Sequence, residues 1–113
     1  MAPGEIYLAL FPFGGTIGAK IRPVLTLTGE VGPTSEVLVA YITSVVPSIL
    51  LPTHILLDPS KPDHVATNLK SPSLLRLHKL ATIHGTDFAR FLGAISVPTR
   101  AEVETKLRLL LSL

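Results

Sequence analysis

The chain has 113 residues, a formal net charge of +2, 47% hydrophobic and 16% charged side chains, and no cysteine. That length fits a single domain over residues 1–113, and the apolar share excludes a disordered chain while leaving surface for a dimer interface. Without cysteine there is no disulfide framework, thiolate zinc site or thiol nucleophile, and the small positive charge permits an anionic partner without requiring one.

The opening Met-Ala-Pro-Gly-Glu has no basic region followed by an apolar stretch, so no signal peptide is expected and the cytoplasm is the expected compartment. Ile6 to Phe11 predicts a strand that runs into the loop Gly14-Gly15-Thr16-Ile17-Gly18. Val24 to Thr28 predicts a second strand between Pro23 and the Gly29, Gly32, Pro33 turn signals, and Val37 to Thr43 a third. The uncharged run from Val37 to Leu57 is long enough to span a bilayer. Pro47 and Pro52 would break such a helix, and Thr43, Ser44, Ser48, Thr53 and His54 would carry polar groups into hydrocarbon. Two strands joined by a turn fit better, the fourth strand being Thr53 to Leu57, and residues 58–72 read as loop.

Ser73 to Ile83 is ambiguous between strand and helix on pattern alone and is taken as strand. A polar turn or short helix around Gly85 to Arg90 leads to a short strand, Phe91 to Val97. The terminal segment is the clearest helix: Thr99 with Glu102 suggests a capping box, Val103, Leu107, Leu110 and Leu111 follow helical spacing, and Glu102–Lys106 and Glu104–Arg108 offer i,i+4 support. Short strands followed by one helix predict a mainly β, α+β fold, a small barrel capped by that helix.

No P-loop, Rossmann glycine pattern, nucleophile elbow or paired metal-binding His motif occurs, and no cofactor or metal is expected. The glycine loop could hold phosphate through backbone N–H groups, but a turn between strands explains it equally and is preferred on its own. Lys20 and Arg22 stand two apart at a strand entry, where they could meet a phosphate, and Pro23 restrains the backbone just after the arginine; solvated charges and an edge proline are the plain alternative. Thr43 and Ser44 end an apolar strand with two hydroxyls, which commonly only satisfy nearby backbone. Arg76 and His78 lie two apart opposite a leucine face; a cation beside an imidazole can serve phosphodiester cleavage, although such a histidine is more often a surface residue. His54, His64 and His84 have no comparable neighbours and read as structural or solvated.

Taken in order, Gly4-Glu5-Ile6, Phe11-Pro12-Phe13, the glycine loop, Lys20-Ile21-Arg22-Pro23, the strand at Val24 to Thr28 and the strand ending Ile42-Thr43-Ser44 resemble the MazF/PemK-like family. Ser73-Leu74-Leu75-Arg76-Leu77-His78-Lys79-Leu80 and a Gly93 followed by a C-terminal helix extend the resemblance nearly end to end. The resemblance implies an SH3-like barrel of the plasmid-maintenance toxin type that forms a homodimer. It also implies a metal-independent endoribonuclease toxin of a type II toxin–antitoxin system, using the 2′-hydroxyl of single-stranded RNA and leaving a 2′,3′-cyclic phosphate. By position, Arg22 and Thr43 match catalytic residues, with Ser44 beside them, and Arg76 matches an arginine proposed as acid or charge stabiliser. His78 stands where some members carry aspartate, which leaves the general base open. Residues 13–20 match the loop used as a lid over RNA, so Phe13, Gly14, Gly15, Thr16 and Lys20, with Lys79 of the later motif, are the candidate RNA contacts. A separate antitoxin chain is the implied partner. The alternative is the same barrel without catalysis, a nucleic-acid-binding or antitoxin-binding module.

Overall fold

The computed structural model describes residues 1–12 and 19–113. Six strands, β1 (Glu5–Pro12), β2 (Ala19–Thr26), β3 (Val37–Thr43), β4 (His54–Leu57), β5 (Ser73–Ile83) and β6 (Phe88–Ala94), precede one helix, α1 (Val97–Leu111). All pairings are antiparallel, in the order β4-β5-β3-β2-β1-β6. This is the expected mainly β fold with a C-terminal helix. The barrel is open, with β4 and β6 as the two end strands.

An apolar core lies on each face of the sheet. One core gathers Ile6, Leu25, Ala40, Ile42, Ile55, Leu57, Leu75 and Leu77, closed by Ile95 and by Val103 of α1. The other gathers Ala9, Phe11, Val24, Val37, Val39, Tyr41 and Ile83. Strands with both faces covered need apolar residues at successive positions rather than at alternate ones. That is why Val37 to Ile42 reads as an unbroken apolar run. Among the described residues no helix is long and apolar enough to cross a membrane.

Register accounts for the departures from the sequence reading. β2 begins at Ala19 rather than Val24, because Ala19 to Pro23 pair with Pro12 to Leu8 of β1. Pairing with β3 covers only Val24 to Thr26, so Pro23 lies where β2 has one neighbour, the setting in which strands tolerate proline. β6 starts three residues earlier than Phe91, since Phe88 and Arg90 pair with Ala9 and Leu8. β5 carries a wide bulge: Ala40 pairs with Leu80 but Tyr41 with Arg76, leaving residues 77–79 unopposed.

Residues 62–67, expected as loop, form a 3-10 turn ended by Asn68 in the left-handed region at φ 56°. The helix starts before Thr99. Ser96 is the cap, its hydroxyl oxygen accepting from the Thr99 backbone N–H at 3.3 Å, and Pro98 occupies the first turn, where its missing N–H costs nothing. Of the expected helix ion pairs, Glu102–Lys106 closes to 3.9 Å.

Candidate active site

A groove of about 630 Å³ opens where β1, β2 and β3 face the segment after the 3-10 turn. One wall is Arg22 with Thr43 and Ser44, brought together because β2 and β3 are neighbours and β3 ends at Thr43. Arg22 is half-buried and spends one donor on the Ile21 carbonyl at 2.9 Å, which bends its guanidinium along β2 and leaves further N–H groups for a ligand. The Thr43 hydroxyl oxygen accepts from the Val45 backbone N–H at 3.1 Å. This turns the chain at the strand end and leaves the hydroxyl proton without an acceptor among the described residues. Ser44 is exposed beside it.

The opposite wall is Asn68, Lys70 and Ser71 with Arg90 of β6, and Leu8, Ile42 and Leu92 supply apolar floor. None of these four wall residues was singled out by sequence. Lys70 falls in a stretch that reads only as loop, and Arg90 in one that reads as turn. The groove is thus lined by three cations, Arg22, Lys70 and Arg90, and by none of the eight carboxylates of the chain. Such a concentration of one sign in a concave surface attracts anions. Among the described residues no three His, Asp or Glu side chains cluster as a metal site would require.

Arg76 and His78 are brought together, but with each other and away from the groove lining. An Arg76 Nη donates to His78 Nε2 at 3.2 Å, so the ring proton belongs on Nδ1, which faces the Thr53 hydroxyl at 2.6 Å. His54, opposite Arg76 in the ladder, stacks on His78 with ring centres 5.6 Å apart. His54 was read as having no such neighbour; the β4–β5 register supplies it. Its Nδ1 accepts from the Leu51 backbone N–H at 3.1 Å, and burial first, then the charges of Arg76, His78 and Lys106, push its pKa below the usual histidine value. The displacement of Arg76 and His78 follows from the bulge: Arg76 is the last β5 residue before it, and His78 lies within it, where β3 offers no partner.

Of the candidate RNA contacts, Phe13, Gly14, Gly15 and Thr16 lie outside the described residues. Lys20 is exposed on β2 opposite Phe11 and does not line the groove. Lys79, from the bulge, places its ammonium 4.9 Å from the centre of the Tyr41 ring, and Tyr41 itself reaches the groove.

The family model described as PemK-like, MazF-like toxin of type II toxin-antitoxin system matches residues 2–111. Among solved structures, the Mycobacterium tuberculosis toxin MazF-mt6 is similar at 27% identity and TM-score 0.74, over 96% of this chain and 97% of that one. An endoribonuclease from Mycobacterial species, in complex with its cognate antitoxin, is 20% identical with TM-score 0.68, over 100% of this chain and 96% of its own. MazF (Form-I) from Deinococcus radiodurans is 22% identical with TM-score 0.69, over 99% and 96%. The latter two share the fold. No curated protein sequence matches the chain. With the family model covering almost every residue and the fold reproduced in these neighbours, the chain belongs to the PemK-like, MazF-like toxins of type II toxin–antitoxin systems.

Proposed function

We propose that the chain is an endoribonuclease that cuts single-stranded RNA without a metal ion, by bringing a ribose 2′-hydroxyl onto the adjacent phosphate. The observation that carries this reading is the groove in which Arg22, Thr43 and Ser44 converge among cations and no carboxylate. In the reaction the 2′-oxygen–phosphorus bond forms and the bond to the 5′-oxygen breaks. The 2′-hydroxyl loses its proton and the leaving oxygen gains one. Negative charge accumulates on the non-bridging oxygens. Arg22 cannot lose its proton near neutral pH, so its work is to hold the phosphate and offset that charge. Thr43, with a free hydroxyl proton, donates to one of the same oxygens and fixes their orientation, and Ser44 lies where it can bond the next polar group of the backbone. Arg76 and His78 are assigned to holding β4 and its preceding turn rather than to the phosphate, because His78 bonds Thr53 just before β4 and Arg76 bonds His78.

The products follow from the mechanism: a 2′,3′-cyclic phosphate on one fragment and a 5′-hydroxyl on the other. End-labelling of the fragments tests it, since 5′-phosphate ends would point to attack by water and overturn the 2′-hydroxyl route. We further infer a homodimer and a separate antitoxin chain. Val45, Ile49 and Leu51 of the β3–β4 connection are exposed on the surface, an apolar stretch that a second copy would cover. The mycobacterial endoribonuclease of similar fold was solved with its antitoxin. Light scattering showing a monomer at micromolar concentration would count against the dimer.

A further inference from the structure

The groove wall opposite Arg22 is built more firmly than a surface loop requires. Gly93 of β6 lies under the 3-10 turn so closely that a Cβ there would sit 2.1 Å from the Ala66 carbonyl oxygen. Only a residue without a side chain lets the turn rest on β6. The next residue out of the turn, Asn68, donates its amide Nδ2 to the Leu92 carbonyl at 2.7 Å, and Leu69 is buried. Lys70 follows directly, so its backbone is tied down on one side by three successive contacts. Arg90 stands on the same wall, two residues before the Leu92 carbonyl that Asn68 grips.

Neither the Lys70 nor the Arg90 side chain makes a hydrogen bond or ion pair among the described residues, and residues 13–18 contain no acidic side chain. Two unneutralised cations on a fixed wall, in a groove without carboxylates, form a receptor for an anion. Arg22 and Arg90 do not form one claw. They pair across β1 with Ala9 and Leu8 respectively, successive residues whose side chains alternate between faces, so the two side chains leave the sheet on opposite faces although both line the groove. Their backbones are two strand spacings apart, about 10 Å.

We propose that Lys70 and Arg90 form a second phosphate-holding subsite, which takes the phosphate neighbouring the scissile one while Arg22 and Thr43 hold the latter. The subsite rests on the ribonuclease reading of the groove. Its ligand is a single-stranded RNA backbone rather than an acidic polypeptide, because the floor between the two walls, from Leu8, Ile42 and Leu92, is apolar and suits the face of a base. Asn68 lines the same groove and, with its amide nitrogen committed to Leu92, keeps its carbonyl oxygen as an acceptor.

The test uses an uncleavable 2′-O-methyl RNA carrying the cut site mapped with the wild-type protein, and the variants Lys70→Ala/Arg90→Ala and Arg90→Lys, with folding checked by circular dichroism. Binding is measured against salt. For the double variant we expect affinity to fall about tenfold or more and the slope of log K against log salt to shrink by about 0.7, the share of one single-strand phosphate. Replacing the neighbouring phosphate by a neutral methylphosphonate should weaken the wild type similarly and add nothing to the double variant, whereas Arg90→Lys keeps the wild-type slope. An unchanged slope and methylphosphonate pattern in the double variant, with the wild type still cutting RNA, overturns the subsite alone. A wild type that neither binds nor cuts RNA overturns the ribonuclease reading itself. If a polyglutamate peptide, and not RNA, loses affinity on the double substitution, the wall belongs to an acidic protein partner and the proposal falls.

Discussion

Gly93→Ala asks directly whether the basic wall is held by its contact with β6. The added methyl carbon would lie 2.1 Å from the Ala66 carbonyl oxygen and 2.8 Å from the carbonyl carbon and oxygen of Thr67. All three atoms are backbone, so no side chain can swing aside, and the turn must move by about 1 Å or more to restore an ordinary contact. Overpacking of this kind costs about 1–3 kcal/mol. A displaced turn also strains the Asn68–Leu92 hydrogen bond, a contribution of about 1 kcal/mol, and lifts part of Leu69 out of the core. The expected loss is about 3 kcal/mol, a large share of the stability of an ordinary domain. Gly32→Ala is the comparison: at φ +74° with no atom within 4 Å, it carries backbone strain of about 1–2 kcal/mol and no collision. Urea unfolding of the two variants reads the difference. Equal midpoints for Gly93→Ala and Gly32→Ala would refute the clamp, and a Gly93→Ala variant as stable as the wild type would refute the packing on which it is built.

Thr43→Val keeps the shape and removes the donor, and cleavage should drop by on the order of 10²-fold or more, measured as kcat/KM on one RNA substrate. Ser44→Ala should cost less, since Ser44 has no bond that holds it in one orientation among the described residues. His54 titrates lower in the folded chain than in the unfolded one, so the unfolded state binds protons first as pH falls. The stability tied to neutral His54 is therefore complete above the ordinary histidine value of about 6.5 and is lost as pH drops through it toward the folded pKa. Unfolding midpoints at about pH 7 and pH 5 should fall more steeply for the wild type than for His54→Gln; parallel curves would refute the assignment. Because His78 lies off the groove, the pH–rate profile of His78→Asn should keep the acid limb of the wild type, and loss of that limb would restore His78 as the general base.

Much of the fold was legible because the apolar runs and their punctuation are local signals. β3 and β5 fall where the sequence places them, between turn residues that end each run. β2 and β6 were displaced because their true limits are set by pairing with β1, and the helix start was displaced because Ser96 and Pro98 form the cap that Thr99 seemed to supply. For the candidate site, Arg22, Thr43 and Ser44 were singled out by motif and strand position, and all three line one groove. Lys70 and Arg90 were not readable, since nothing local distinguishes a loop lysine or a turn arginine from a solvated charge. Their meaning comes from Gly93 and Asn68 folding residues 66–69 onto β6. The pairing of Arg76 with His78 was visible as a two-residue spacing. The bulge that separates it from the groove requires knowing that Tyr41 faces Arg76 while Ala40 faces Leu80.

On the reading proposed above, Arg22 and the groove around it cleave RNA without a metal ion. The decisive assay incubates the purified protein with a long single-stranded RNA in excess chelator, beside Arg22→Ala. The expected result is cutting at discrete positions by the wild type with chelator present, and no cutting by Arg22→Ala. Cleavage that stops on chelation, or that survives undiminished in Arg22→Ala, would contradict it.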